Sequence, residues 1–251
     1  MAQCRGALTQ EGIIVEAKRS PAHAGRMSGT DDGLVTRPLG LELVVLDFDG
    51  TLADSFPWFT NVLNDVARRW RFRQVDPTEH AALRRLSAME VFASLGVPGW
   101  KVPLIAHDLR RRMAREIDHI RPFAGIDALL AALQTAGLRL ALASSNSRDN
   151  VQAVLGPTNL KRFERLECGI AIAGKPARLK RILRHCGVDA NRAIYIGDEV
   201  RDIAAARTAG MAAGAVGWGY NAPDMLRAAG PDRLFPTLTD LARLAGGETL
   251  A

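Results

Sequence analysis

The chain has 251 residues, 47% of them apolar and 24% charged, with a net charge of +6. That is an ordinary globular composition, long enough for one α/β core and a small second domain. The most apolar window, Ile126 to Ser145, is interrupted by Asp127, Gln134, Gly137 and Arg139, which argues against a membrane span. No apolar leader opens the sequence, so a cytoplasmic protein is expected. The three cysteines, Cys4, Cys168 and Cys186, are scattered and odd in number. They are expected to be reduced thiols rather than a disulfide framework or a zinc site.

Residues 1–40 are rich in Gly, Ser, Thr and Asp and show no periodicity, which reads as a disordered extension. From Leu41 the pattern changes. "LELVVLDF" is a short continuous apolar run, expected of a strand buried on both faces. It ends in "DFDGTLADS", with Asp47 and Asp49 at its carboxyl end.

Residues 55–121 then read as an all-helical insert. Phe59, Val62, Leu63, Val66 and Trp70 recur at helical spacing, and further helices are expected over Pro77–Leu95 and Pro103–Ile120. Trp58, Trp70 and Trp100 are expected in the insert's core. Its arginine clusters, "ARRWRFR" and "LRRRMAR", read as solvated helix faces. Counting Lys and Arg against Asp and Glu gives −4 for residues 41–54 (0 minus 4) and +5 for 55–121 (12 minus 7). A basic insert beside an acidic strand end can steer an anion inward.

After "RPFAG" strands and helices alternate. Helix Ile126–Ala136 precedes strand "LRLALAS", and a short helix Asp149–Leu155 precedes a strand in "LECGIAIA". Helix Lys175–Cys186 stops at Gly187 before "RAIYIGD". Helix Ile203–Ala209 stops at Gly210 before "AAGAVGWG". This alternation predicts a doubly wound parallel sheet, its core built from residues 41–54 and 122–251.

In such a sheet the carboxyl ends of the strands make the site. Those ends carry Asp47 and Asp49, then Ser144, Ser145 and Asn146, then Asp198, with Glu199 and Asp202 just beyond. Lys175 opens a helix between them. Close carboxylates become tolerable when a divalent cation shares their charge, and hard oxygen donors suit Mg²⁺. Gly50 permits a tight turn whose backbone N–H groups can meet a phosphate, and Lys175 adds a point charge.

"DFDGTLADS", "LALASSN", Lys175 in "GKP" and "GDEVRD", in this order and spacing, resemble the four motifs of the haloacid dehalogenase superfamily of phosphohydrolases. "GDEVRDIAAARTAGM" and "GWGYN" are most similar to its phosphoglycolate-phosphatase-like branch. The resemblance covers about residues 41–220. It implies a Rossmann-like core with a mobile α-helical cap formed by residues 55–121. It also implies a Mg²⁺-dependent hydrolysis of a small phosphorylated substrate through an aspartyl-phosphate. Asp47 would be the nucleophile and Asp49 the general acid and then base. Gly50, Thr51, Ser144, Ser145, Asn146 and Lys175 would surround the phosphoryl group. The metal would be held by Asp47, Asp49 through its backbone carbonyl, Asp198 and Asp202; the motif leaves Glu199 open as an alternative to Asp202. A phosphosugar mutase, a phosphonate hydrolase or a non-catalytic anion- or protein-binding module would share the same core. Neither nucleic acid nor membrane is expected as a partner, and the oligomeric state stays open between monomer and dimer.

Overall fold

The computed structural model describes residues 40–169 and 174–246. Of the disordered extension expected over residues 1–40, all but Gly40 lies outside them, as do residues 170–173 and 247–251. Six strands form one parallel sheet in the order β3-β2-β1-β4-β5-β6. They are β1 (Leu43–Leu46), β2 (Arg139–Ala143), β3 (Phe163–Glu167), β4 (Ala193–Gly197), β5 (Ala212–Val216) and β6 (Arg233–Phe235). The first strand is central, and every residue in it is buried, which is why its sequence is apolar without alternation.

Strand geometry still sorts its side chains by parity. Val44, Leu46 and Phe48 join one apolar layer, shared with helices α5 (Ile126–Thr135) and α6 (Arg148–Leu160). Leu43 and Val45 join the opposite layer, shared with α7 (Lys175–Cys186) and α8 (Val200–Ala209). Helices α9 (Pro223–Ala228) and α10 (Leu238–Ala242) complete the carboxyl-terminal part. These two helices and β6 are short and carry no strong periodicity, and the sequence reading does not identify them.

Four helices separate β1 from α5. They are α1 (Phe56–Trp70), α2 (His80–Leu83), α3 (Ala88–Ser94) and α4 (Val102–Arg115). No strand occurs in this stretch, as expected, although Ala53 makes an isolated bridge to Pro122. The insert has its own apolar cluster, including Leu63, Val66, Phe92, Leu95 and Ile105, while Phe59 and Leu109 pack against both this cluster and the core.

Several expected elements shift. The helix expected over Pro77–Leu95 is two helices, because Ser87 starts a new one: its side chain caps Glu90 N while Glu90 bonds back to Ser87 N. In place of the strand expected in "LECGIAIA", whose last four residues lie outside the described ones, a strand runs over Phe163–Glu167. It pairs with β2 and is only partly buried, so it lacks the apolar run that marks the central strands. Helix α6 extends beyond Leu155 across a break at Gly156–Pro157, where the proline cannot continue the hydrogen-bond ladder. Trp100 does not enter the core: it is 69% exposed, whereas Trp58 is 6% exposed and its indole donates to Glu116.

Candidate active site

Register brings the chemistry together. Leu46 stands opposite Leu142 on β2 and Ile196 on β4. Asp47, Ser144 and Asp198 therefore leave the sheet at the same edge. Asp47 would continue the α7/α8 side of β1, and its contacts agree. Its Oδ2 accepts from Lys175 Nζ at 2.5 Å, and Oδ1 accepts from the Phe48 N–H at 2.8 Å. Lys175, at the first position of α7, is 3% exposed and donates at 2.5 Å to Asp202 Oδ1 as well. Tyr195, on the same face of β4, donates to that oxygen at 3.3 Å.

Asp202 also closes the amino end of α8 by accepting from Glu199 N at 3.1 Å. It lies tight against the strand end: a Cβ on Gly197 would sit 2.4 Å from Asp202 Oδ2. Asp198 is fully buried. Its Oδ1 accepts from the Thr51 hydroxyl at 2.9 Å, and its Oδ2 from Tyr220 N at 2.7 Å. Gly50 has φ +71°, and a Cβ there would fall 2.1 Å from Asp198 Oδ2. Gly219 is confined in the same way, 2.3 Å from the Asp198 Cβ. Only hydrogens fit on either side of this carboxylate.

Strand β1 ends at Leu46, so Asp49 does not keep strand parity with Asp47. Its two carboxylate oxygens accept from Asn146 Nδ2 at 3.2 and 3.0 Å. That nitrogen also lies 2.9 Å from Met113 Sδ on α4, and the Asn146 carbonyl is fixed by Asn150 Nδ2 and Ser147 N, both at 2.8 Å. Burial, followed by repulsion from Asp47, pushes the Asp49 carboxyl up to about 6, despite hydrogen bonds from Asn146 and Ser55. Ser55, which precedes α1, makes no cap bond. Its hydroxyl faces the Tyr220 hydroxyl at 3.1 Å instead.

Asp47, Asp198 and Asp202 can each offer one oxygen with all three oxygens within 4.8 Å of one another. Burial pushes Asp47 and Asp198 above the usual carboxylate range, and neighbouring carboxylates add to it. Burial pushes Asp202 up too, but Lys175 and Arg201 outweigh it and hold that carboxyl low. One buried ammonium thus faces three buried carboxylates, and the unbalanced charge together with the all-oxygen donor set fits a hard divalent cation. Glu199, the alternative ligand, is turned to Arg201.

The residues expected around a phosphate are close together but differently occupied. Ser144 is buried, and its hydroxyl oxygen accepts from Asn146 N at 3.0 Å. Thr51 is spent on Asp198 and Asn146 on Asp49, whereas Ser145 opens onto the cavity beside Asp49. Lys175 touches Asp47 directly, the atom pair a nucleophile and its charge partner need.

Above this floor lies a cavity of about 200 Å³. Its far wall comes from the insert and includes Phe56, Phe59, Phe92, Leu109 and Met113. Arg110, in the cluster expected to be solvated, faces this cavity. The loop after β5 joins floor and wall. Arg84 donates to the carbonyls of Gly219 and Tyr220 at 2.6 and 3.2 Å. Asn221 Nδ2 donates to the carbonyls of Leu86 and Arg84 at 2.9 and 3.3 Å, and its Oδ1 accepts from Val200 N at 3.0 Å. Tyr220 and Asn221 carry roles that the sequence reading did not assign. Their signal was present as "GWGYN" at the carboxyl end of a strand, where the glycines mark close backbone approach.

A family model of haloacid dehalogenase-like hydrolases matches residues 44–216. A phosphoglycolate phosphatase of Synechococcus elongatus is 33% identical over 202 residues, covering 80% of this chain and 95% of that protein. A tyrosine-protein kinase of Mycobacterium tuberculosis is 27% identical over 206 residues, covering 74% of this chain and 65% of that protein. Among solved structures, a haloacid dehalogenase family hydrolase of Deinococcus radiodurans, crystallised with phosphate and sodium, superposes with a TM-score of 0.61. It is 22% identical and covers 84% of this chain and 99% of that one. With the family match spanning more than half its length and its motif residues meeting at one sheet edge, this chain belongs to the haloacid dehalogenase-like hydrolases, as a phosphatase of the phosphoglycolate-phosphatase-like branch.

Proposed function

We propose that this chain hydrolyses a small phosphomonoester in two in-line displacements through an aspartyl-phosphate on Asp47. The observation that carries the reading is the division of labour between two carboxylates two residues apart. Asp47 is held by the Lys175 ammonium, while Asp49 is held by a neutral amide and pushed up to about 6.

Asp47 Oδ2 attacks phosphorus, and the ester oxygen leaves. Lys175 keeps the attacking carboxylate in one orientation and offsets charge on the phosphoryl oxygens. Asp49, with a carboxyl that holds its proton near pH 6, gives that proton to the departing alkoxide. The ionised Asp49 then takes a proton from water as it attacks the aspartyl-phosphate, which frees Asp47 and inorganic phosphate. Asn146 fixes the carboxylate through both steps. Ser144, Ser145 and the backbone N–H groups after Asp47 would hold the phosphoryl oxygens. A Mg²⁺ ion held by Asp47 and Asp198, with Asp202 beside it and the Asp49 carbonyl as a further oxygen donor, would supply charge neutralisation at the phosphoryl group. Residues 55–121 would act as the cap that closes over the substrate. The S. elongatus relative is named for phosphoglycolate, which makes that ester the first substrate to test.

Asp47→Asn is isosteric and removes the nucleophile. Phosphate release from phosphoglycolate with Mg²⁺ should fall by about 10⁴-fold or more with far-UV circular dichroism unchanged. Release within tenfold of wild type would overturn the assignment.

A further inference from the structure

The cavity wall does not match a two-carbon acid. Glycolate offers a single methylene to bury, yet the insert presents Phe56, Phe59, Phe92, Leu109 and Met113 to the space above Asp49. An apolar wall gains free energy only when something apolar displaces water from it.

The same wall carries one uncommitted charge. Helix α4 contains three consecutive arginines, and a helix turns about 100° per residue, so they cannot share a role. Arg111 is exposed, and Arg112 lies 3.5 Å from Asp108. Arg110 lines the cavity. Two other guanidiniums line it as well, but Arg84 is spent on backbone carbonyls and Arg201 on Glu199. Among the described residues Arg110 has no hydrogen-bond or ion-pair partner. It lies three residues before Met113, which is about 4.5 Å along the helix axis. Met113 touches the Asn146 amide that holds Asp49. Arg110 therefore enters the cavity wall about one helical turn from the residue that touches the Asp49 support, beside the apolar side chains of the insert. Asp49 and Glu199, on the same cavity, would repel a second anion placed near the floor.

We propose that the preferred substrate is a phosphomonoester of an amphipathic alcohol, with an apolar body held by the insert and a distal carboxylate held by Arg110. This rests on the phosphatase reading above and replaces its small acid with a larger one. Arg110 is then a specificity-determining residue, and its fork suits bidentate recognition of a carboxylate.

Three primary-alcohol esters test it: phosphoglycolate, benzyl phosphate and 4-carboxybenzyl phosphate, each with Mg²⁺. The wild type should hydrolyse 4-carboxybenzyl phosphate with kcat/KM about tenfold or more above both others. In Arg110→Gln the ratio of 4-carboxybenzyl to benzyl ester should fall by about tenfold, and Arg110→Lys should restore part of it. A ratio unchanged in Arg110→Gln, or phosphoglycolate hydrolysed as fast as the carboxybenzyl ester, overturns the proposal and leaves the phosphatase reading standing. No phosphate from any of the three overturns that reading and the proposal together. Product inhibition of the wild type gives an independent measure that does not depend on any variant folding. The alcohol 4-(hydroxymethyl)benzoate should inhibit about tenfold more tightly than glycolate, and equal inhibition contradicts the proposal.

Discussion

The floor and the wall of the cavity are built on opposite terms. The floor is a set of buried charges, each with a named partner: Asp47 with Lys175, Asp198 with Thr51 and Tyr220 N, Asp49 with Asn146. The wall is a set of apolar side chains from α1, α3 and α4, in which any of several residues fills the same volume. A buried charge tolerates no change of partner, because an unpaired one costs several kcal/mol. An apolar wall tolerates exchange of similar volumes at about 1.5 kcal/mol or less. The floor can therefore be fixed while the wall varies, and chemistry is separated from choice of substrate.

Two glycines make the contrast measurable. Gly50 on the floor and Gly96 in the insert share a positive φ, +71° and +74°. A Cβ on Gly50 would meet Asp198 Oδ2 at 2.1 Å and the Tyr220 ring at 2.6 Å, whereas one on Gly96 would meet nothing within 4 Å. Gly50→Ala should cost about 3 kcal/mol, from the backbone together with overpacking, and Gly96→Ala about 1 kcal/mol, from the backbone alone. Urea unfolding of the two variants checks this, and equal losses would remove the distinction.

Asn221 is where the two regions are tied. Asn221→Ala removes two bonds to insert carbonyls and leaves the Val200 N–H at the start of α8 without its partner. The expected loss is about 2 kcal/mol in unfolding free energy, accompanied by a higher KM. A variant with wild-type stability and KM would mean that the insert is held elsewhere.

A smaller effect concerns Asp49. Its carboxyl is raised to about 6 in the folded protein, from an ordinary value near 4. Above pH 6 the folded state carries an ionised carboxylate that it disfavours; below pH 4 the group is protonated in both states and the cost vanishes. In chelator at pH 7.5, Asp49→Asn should therefore be more stable than wild type by about 1 kcal/mol, discounted for partial exposure. That gain should shrink as the pH falls from 7 to 4. Thermal melts across this range decide it, and a variant less stable at pH 7.5 reverses the sign.

The same contrast explains what could be read from the residues alone. Asp47, Asp198 and Lys175 were legible because a charged residue at the end of a buried strand or the start of a helix is anomalous, and anomalies carry information. Helix α7 was legible to the residue because Lys175-Pro176 starts it and Gly187, with φ +62°, ends it. The partners were less legible. Thr51 and Asn146 were placed near phosphate, yet each is bonded to a carboxylate far away in sequence. The wall was not legible, since Phe92 or Met113 at helical spacing looks like any core residue. Arg110 was indistinguishable from Arg111 and Arg112 until the rotation of α4 was known. Trp100 misled for the converse reason, because a large apolar residue in a helical insert need not be buried.

The central claim is that Asp47 carries the phosphoryl group between two displacements, and the stereochemical course at phosphorus tests it most directly. A phosphorothioate analogue of phosphoglycolate, made chiral at phosphorus with two oxygen isotopes, should be hydrolysed in water carrying the third, so that the released thiophosphate is itself chiral. Two in-line attacks, each inverting, predict overall retention of configuration in the released thiophosphate. Inversion would mean that water attacks the ester directly, and the nucleophile assignment of Asp47 would be contradicted.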